Sequence, residues 1–427
     1  MNVISAIATP PGRGGVAIIR LSGEGALDIA RKMFSRKGEY RANVLYPGVI
    51  DGVSFQDFGM CVYFRAPKSF TGEDVVEFHC HGGREIARGI LRRTLDLGAR
   101  PAERGEFTKR AFLNGKLSLS AAEGMVDMID AQSLSQVRAG YSLYTETLTQ
   151  EGKRLQAMLL ECLAEIDADL DYPEEDLTVD TREKTKEKLL SVQSALCELS
   201  QRYRAGRKIK EGVSVAICGV PNAGKSSLFN ALMGSDRAIV SAREGTTRDV
   251  LEGSLEINGV LFRLVDTAGL RKSDDDIEQE GIRRAEQAIK YADVIVYLKE
   301  NDGMTFPTDT PVITVGAKSD IKGNQTDCDV ILSSVTGEGL ERLKELLYEK
   351  GYGGESDVCL LEERHYRAVQ SALEGVREAL RAVDAGHPSE IYAEGVNRAW
   401  KELGLISGET ASNRVIEEIF AKFCVGK

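Results

Sequence analysis

The segment Gly219-Val220-Pro221-Asn222-Ala223-Gly224-Lys225-Ser226-Ser227 constrains this chain more than any other. It fits Gly-x-x-x-x-Gly-Lys-Ser, and its flanks have the required character. The apolar run from Val213 to Cys218 predicts a buried strand, and the run from Leu228 to Met233 predicts a helix. Strand, glycine loop and helix in that order make a phosphate cradle, because the loop and helix N–H groups converge on one point. Asn222, Ala223, Gly224, Lys225, Ser226 and Ser227 are therefore nucleotide-binding candidates. Lys225 reaches the β- and γ-phosphates and Ser226 holds Mg²⁺.

The motifs that follow keep the order of a GTP-hydrolysing domain. Thr246 and Thr247 lie in a polar loop that suits a switch, with Thr247 closing on Mg²⁺ and the γ-phosphate. A predicted strand from Leu261 to Val265 ends in Asp266-Thr267-Ala268-Gly269; Asp266 meets Mg²⁺ through water and the Gly269 amide meets the γ-phosphate. Leu270 stands where a Ras-like enzyme carries a water-orienting Gln. Another group must do that work, and the carboxylates of 274–278 are the candidates, with spacing alone choosing none of them. Lys318 and Asp320 read the base, Asp320 through the N1/N2 donors of guanine, and Ser333 and Ser334 belong to the loop that closes over it. Ala317 replaces the usual Asn of that motif, which weakens nucleotide binding by on the order of 1–2 kcal/mol.

Length and composition bound the rest. At 427 residues, with 42% hydrophobic and 28% charged residues, the chain predicts a soluble protein of two to four domains. No run approaches the ~18 apolar residues of a membrane span, and the N-terminus carries no signal pattern, so the expectation is a cytoplasmic protein with no membrane partner. Eight scattered cysteines form no Cys-x-x-Cys pair, so no zinc site or disulfide framework is indicated. The net charge of −11 argues against a broadly basic surface while leaving room for a local patch.

The fold class is a multidomain α/β protein. Residues 1–117 mix strand and helix signals and predict an α+β domain. Residues 118–210 turn helical, with Leu155, Leu159, Cys162 and Ile166 at helical spacing. Residues 211–353 form a P-loop, Ras-like G domain, and 354–427 return to helical spacing. The two helical stretches predict one bundle interrupted by the G domain. Within the G domain, residues 299–311 leave little room for a crossover helix. In the first domain Val76, Phe78 and Cys80 alternate with Glu77, His79 and His81. A three-ligand metal site on the second face is the less favoured reading; a half-exposed strand is the simpler one.

Several segments resemble one family. Ala6-Ile7-Ala8-Thr9-Pro10-Pro11-Gly12-Arg13-Gly14-Gly15, Phe70-Thr71-Gly72-Glu73-Asp74, His81-Gly82-Gly83, the run from Gly105 to Lys116, and the terminal Phe423-Cys424-Val425-Gly426-Lys427 are similar to the bacterial tRNA-modification GTPases called MnmE or TrmE. The resemblance spans nearly the whole chain. It implies a homodimer whose N-terminal domain binds 5-formyltetrahydrofolate or a related folate through Arg20, Glu77, Lys116 and Lys427. It implies an FAD-dependent MnmG-type partner and a (carboxymethyl)aminomethyl group added at C5 of the wobble uridine of certain tRNAs. It further implies hydrolysis assisted by K⁺ on Asn222, Ser241, Arg243 and Thr246, with Glu278 orienting the water. Cys424 falls on a tail cysteine suspected as a nucleophile; nothing nearby in sequence lowers its pKa, so a packed tail residue is favoured.

Three departures stand out: Ala317, the short 299–311 connection, and a 408–414 segment lacking the usual acidic pair. Two other functions compete. A ribosome-assembly switch predicts an RNA-binding module after the G domain, where a helical half follows instead. A folate-dependent methyltransferase with a regulatory G domain predicts activity without a flavoprotein.

Overall fold

Two sheets organise the chain, each following from its apolar pattern. The computed structural model describes residues 3–171, 178–220, 222–234, 238–239, 252–266, 287–299, 306, 309–322, 327–353 and 362–427. The chain divides into two compact units: Met1–Val126 with Tyr144–Lys153 and Leu403–Lys427, and Asp127–Leu143 with Arg154–Glu402. Among the described residues no helix is long and apolar enough to cross a membrane.

In the first unit β1 (Ile4–Ile7), β2 (Gly14–Ser22), β3 (Leu45–Asp51), β4 (Gln56–Phe64), β5 (Val75–Gly82) and β6 (Arg100–Pro101) form one sheet in the order β3-β4-β5-β2-β1-β6. All pairings are antiparallel except β1 with β6. Helices α1 (Ala26–Met33) and α2 (Arg84–Asp96) cover one face, where Ile19, Leu21, Val76 and Phe78 meet Ile29, Met33 and Ile90. The period of two then turns Glu77, His79 and His81 to the other face. On that face Val16 and Phe58 are 58% and 64% exposed, and Leu45 and Met60 also stand in solvent. Helices α3 (Glu106–Leu113), α4 (Leu119–Asp130) and, near the end of the chain, α14 (Asn413–Phe420) meet through Phe112, Leu119, Ala122, Ile416 and Phe420.

The second unit contains the helical stretches on both sides of the G domain. Helix α5 (Leu134–Tyr144) leads to α6 (Thr147–Asp171), α7 (Thr178–Gln201) and α8 (Tyr203–Glu211); α12 (Glu363–Asp384) and α13 (Ser389–Ser407) follow the G domain. Leu189, Val192 and Leu196 of α7 are buried, as are Val369, Leu373 and Val376 of α12, and the two helices pack together. Tyr203 stacks on Tyr366 at 4.1 Å and 11°. Where α12 crosses α13, a Cβ on Gly375 would lie 2.7 Å from the Gly395 carbonyl. Only glycine permits that approach. The segments before and after the G domain thus make one bundle.

The G domain holds β7 (Val213–Cys218), α9 (Lys225–Met233), β8 (Ala238–Ile239), β9 (Glu252–Ile257), β10 (Val260–Asp266), β11 (Val294–Leu298), β12 (Val312–Ala317), α10 (Ser319–Lys322), β13 (Val330–Leu332) and α11 (Leu340–Leu347). Its sheet runs β13-β12-β11-β7-β10-β9-β8. The five strands from β13 to β10 are parallel; β9 and β8 extend the sheet antiparallel. Phe262, Ile217, Val296 and Val315 are fully buried in its core. A parallel sheet of this kind presents its binding loops at the carboxyl ends of the strands.

Candidate functional site

The loop after β7 is built as its glycines require. Gly219 and Gly224 take φ of 145° and 107°, and Asn222 takes 64°. Gly224 precedes α9 in a left-handed conformation and has no side chain to cap the helix. The amides of a helix start suit a phosphate. The Lys225 ammonium lies within the loop, 2.7 Å from the Gly219 carbonyl and 2.9 Å from that of Val220. Ser226 and Ser227 are exposed on the first turn of α9, and Ala223 is buried under the loop.

The base-reading motif converges on the same loop. Lys318, at the end of β12, donates from its ammonium to the Asn222 carbonyl at 2.6 Å, joining positions 96 residues apart. The Asp320 carboxylate accepts 2.7 Å from the Ser333 hydroxyl. Ser333 is fully buried, and its oxygen also accepts from the amides of Val335 and Thr336. Ser334 is half-buried beside it. Ala317 pairs with Leu332 along the strand, so its methyl occupies the place where the usual motif carries an amide. Asp266 closes β10 opposite Ile217; its side chain lies outside the described residues. So do Ser241, Arg243, Thr246, Thr247, Thr267, Ala268, Gly269, Glu278 and most of the 299–311 connection. The loop, the helix start and the Lys318–Asp320 arrangement therefore fit a purine nucleotide with its phosphates.

In the first unit two of the four folate candidates pair directly. Arg20 and Glu77 face each other on β2 and β5 and form a 2.7 Å ion pair. The Arg20 guanidinium lies 5.8 Å from the Phe70 ring and 5.7 Å from the Phe107 ring. His79 Nε2 lies 3.2 Å from the second Glu77 oxygen. Burial pushes the Glu77 carboxyl up, but the His79 bond and the Arg20 charge outweigh it and hold it below its ordinary value. Glu77 is thus a fixed anion, able to accept a donor pair from a flat heterocycle. Lys116 is exposed and donates to the Pro67 carbonyl at 2.9 Å. Lys427 is half-exposed at the end of the tail, whose Val425 pairs with Arg104. Neither lysine is ion-paired to Glu77 among the described residues.

One sequence reading changes here. Cys424 is exposed, so it is not a packed tail residue. The trio Glu77, His79 and His81 does not converge, because His81 turns its Nδ1 to Asp57 at 2.6 Å. Sequence reasoning missed a charged network in which Arg110 bonds both Glu73 and Glu106, and Arg100 bonds Glu106. Burial raises the Glu106 carboxyl, yet its bonds from Arg100, the Glu103 amide and Arg110 hold it low. The motifs containing Glu73 and Arg110 carried the residues but not their pairing.

Comparisons with known proteins agree along the whole chain. The family model described as GTP-binding protein TrmE N-terminus matches residues 3–116, and that described as MnmE helical domain matches 119–424. The tRNA modification GTPase MnmE of Thermus thermophilus is 39% identical over 438 residues, covering 99% of each chain. The protein of that name from Nitrosomonas eutropha is 37% identical over 448 residues, covering 100% of this chain and 99% of its own. Among solved structures, the G domain of the T. maritima FeoB iron transporter is 31% identical over 33% of this chain and 99% of that one, with a TM-score of 0.24.

Proposed function

Because the chain belongs to the MnmE family of tRNA modification GTPases, we propose that a K⁺-assisted GTPase cycle in its G domain drives the addition of a (carboxymethyl)aminomethyl group at C5 of a tRNA wobble uridine. GTP hydrolysis is its enzymatic activity and tRNA modification the process it serves. The one-carbon donor in this reading is 5-formyltetrahydrofolate or a related folate, and the partners are a second copy of the chain, an FAD-dependent MnmG-type protein and tRNA. The site of action is the cytoplasm. The domain division is the one read from the sequence, at 1–117, 118–210, 211–353 and 354–427.

The observation that carries the reading is the 2.6 Å bond from Lys318 to the Asn222 carbonyl, which brings base reader and phosphate loop to one place. Lys225 leaves the loop carbonyls to meet the β- and γ-phosphates, while Asp320 and Lys318 hold guanine under Ser333 and Ser334. Ser226 and Thr247 would hold Mg²⁺. Asn222, Ser241, Arg243 and Thr246 would hold K⁺, which supplies positive charge where the transition state gains negative charge. Glu278 orients the attacking water. In the N-terminal domain the Glu77 anion suits the amino and N–H edge of a pteridine, and Arg20, Lys116 and Lys427 suit its glutamate tail. The exposed face carrying Leu45, Val16, Phe58 and Met60 supports pairing with a second copy.

Steady-state GTP hydrolysis in K⁺ and in Na⁺ at equal ionic strength tests this, with Asn222→Ala as control. The expected result is strong K⁺ stimulation that the variant loses. Equal slow rates in both salts would overturn the K⁺ assignment.

A further inference from the structure

The acidity of the chain is unevenly distributed. Residues 1–117 carry 18 Lys and Arg against 12 Asp and Glu, while the other 310 residues carry 37 against 54. Inside this cationic domain, α2 places Arg84, Arg88 and Arg92 four residues apart, all exposed. Four-residue spacing puts them in a row on one side of the helix, with Cβ atoms ~6 Å apart from one to the next. Ala87, Ile90 and Thr94 are the buried side of the same helix. Among the described residues neither Arg84 nor Arg92 has an acidic partner. Arg88 has Glu85 at 3.2 Å, but the two are 69% and 87% exposed, and such surface pairs hold weakly.

A cavity adjoins the row. It has a volume of about 530 Å³, and Ile7, Pro10, Ala87 and Leu91 line it together with Arg84 and Arg88. Its wall is therefore apolar with guanidinium groups on one side. It lies on the helix-covered face of the sheet, opposite the face of Glu77, His79 and Met60.

We propose that this surface binds the single-stranded loop of the tRNA substrate: Arg84, Arg88 and Arg92 contact successive phosphates, and the cavity receives an unstacked base. The inference rests on the reading of the chain as a tRNA-modifying enzyme and locates the RNA on it. Enzymes that act on a base must take it out of its stack, and they do so with an apolar pocket for the base and cations for its backbone. The row and the cavity supply both within one unit. The charge contrast with the rest of the chain favours a polyanion at this domain and repels it elsewhere.

The test uses the full chain and labelled tRNA, with an isolated anticodon stem-loop as second ligand. Replacing Arg84, Arg88 and Arg92 together by Ala should weaken both RNAs by roughly tenfold or more and lower the slope of log affinity against log salt by about 2. Gly12 also lines the cavity, and a Cβ added there meets nothing within 4 Å. Gly12→Trp should therefore fold normally, fill the cavity and weaken the stem-loop while leaving the salt slope unchanged. GTP hydrolysis should be unaffected in both variants. Wild-type affinity and slope in the triple variant would overturn the proposal. So would loss of folate binding with tRNA binding intact, which would assign the cavity to a small anion. A wild-type chain that binds no tRNA would instead overturn the tRNA reading, and this inference with it.

Discussion

The Asp320 carboxylate accepts its hydrogen bond from the Ser333 hydroxyl, 2.7 Å away, and Ser333 is fully buried. The serine oxygen is itself held by the amides of Val335 and Thr336. The orientation of the guanine reader is thus set by the loop after β13. Ser333→Ala removes the donor and leaves the two amides short of an acceptor. We expect GDP affinity to fall by about tenfold, on the scale of one to two hydrogen bonds. Fluorescent-GDP titration reads this directly, and an unchanged affinity would mean that Asp320 is positioned without Ser333.

Ala317 gives the opposite sign. It sits half-buried at the end of β12 and packs against the G-domain core. Ala317→Asn restores an amide at the position where the usual motif has one. The expected gain is about 1–2 kcal/mol, or roughly five- to thirtyfold tighter GDP. The same titration checks it. A loss of affinity would show that the strand end has closed around the methyl group.

What the sequence disclosed depended on how local the cause was. The P-loop was legible because glycines, a lysine and two flanking apolar runs act within about twenty residues. The two faces of β5 were legible because alternation has a period of two, and Val76 and Phe78 are indeed buried while His81 is exposed. The pairs were not. Lys318 finds Asn222 across 96 residues, and Arg20 finds Glu77 across 57. Packing selects such partners, and no period encodes them. His81 shows the same limit, since its partner Asp57 lies on a different strand. Cys424 could not be placed because the tail's bridge to Arg104 joins positions far apart in sequence.

The Arg20–Glu77 pair should leave a trace in acid. Burial raises the Glu77 carboxyl, and the His79 bond and Arg20 more than offset it, so the folded value lies below the ordinary 4.5. A carboxyl depressed on folding stabilises the folded state above its unfolded value. That stability is lost as pH falls through the folded value. Glu77→Gln has no such titration. Urea unfolding of wild type and variant should therefore differ most at neutral pH, and the difference should shrink below pH 4.5. A gap that widens as pH falls would contradict the depressed carboxyl.

Lys210 closes the G-domain insertion. Its ammonium lies 3.0 Å from Asp127 on α4 and also bonds Glu362, the residue before α12. Its backbone carbonyl accepts from Gln136 of α5 at 2.8 Å. One side chain thereby joins the helix that enters the G domain to the segment that leaves it. Asp127 and Glu362 are 17% and 15% exposed, so both carboxylates depend on that ammonium for part of their compensation. Lys210→Met keeps the aliphatic stem and removes the charge, and we expect a loss of roughly 1–3 kcal/mol. Pairing it with Glu362→Gln should recover part of the loss, because one of the two facing anions is then neutral. Thermal unfolding of the two variants distinguishes this from simple loss of packing, in which case the second substitution would recover nothing.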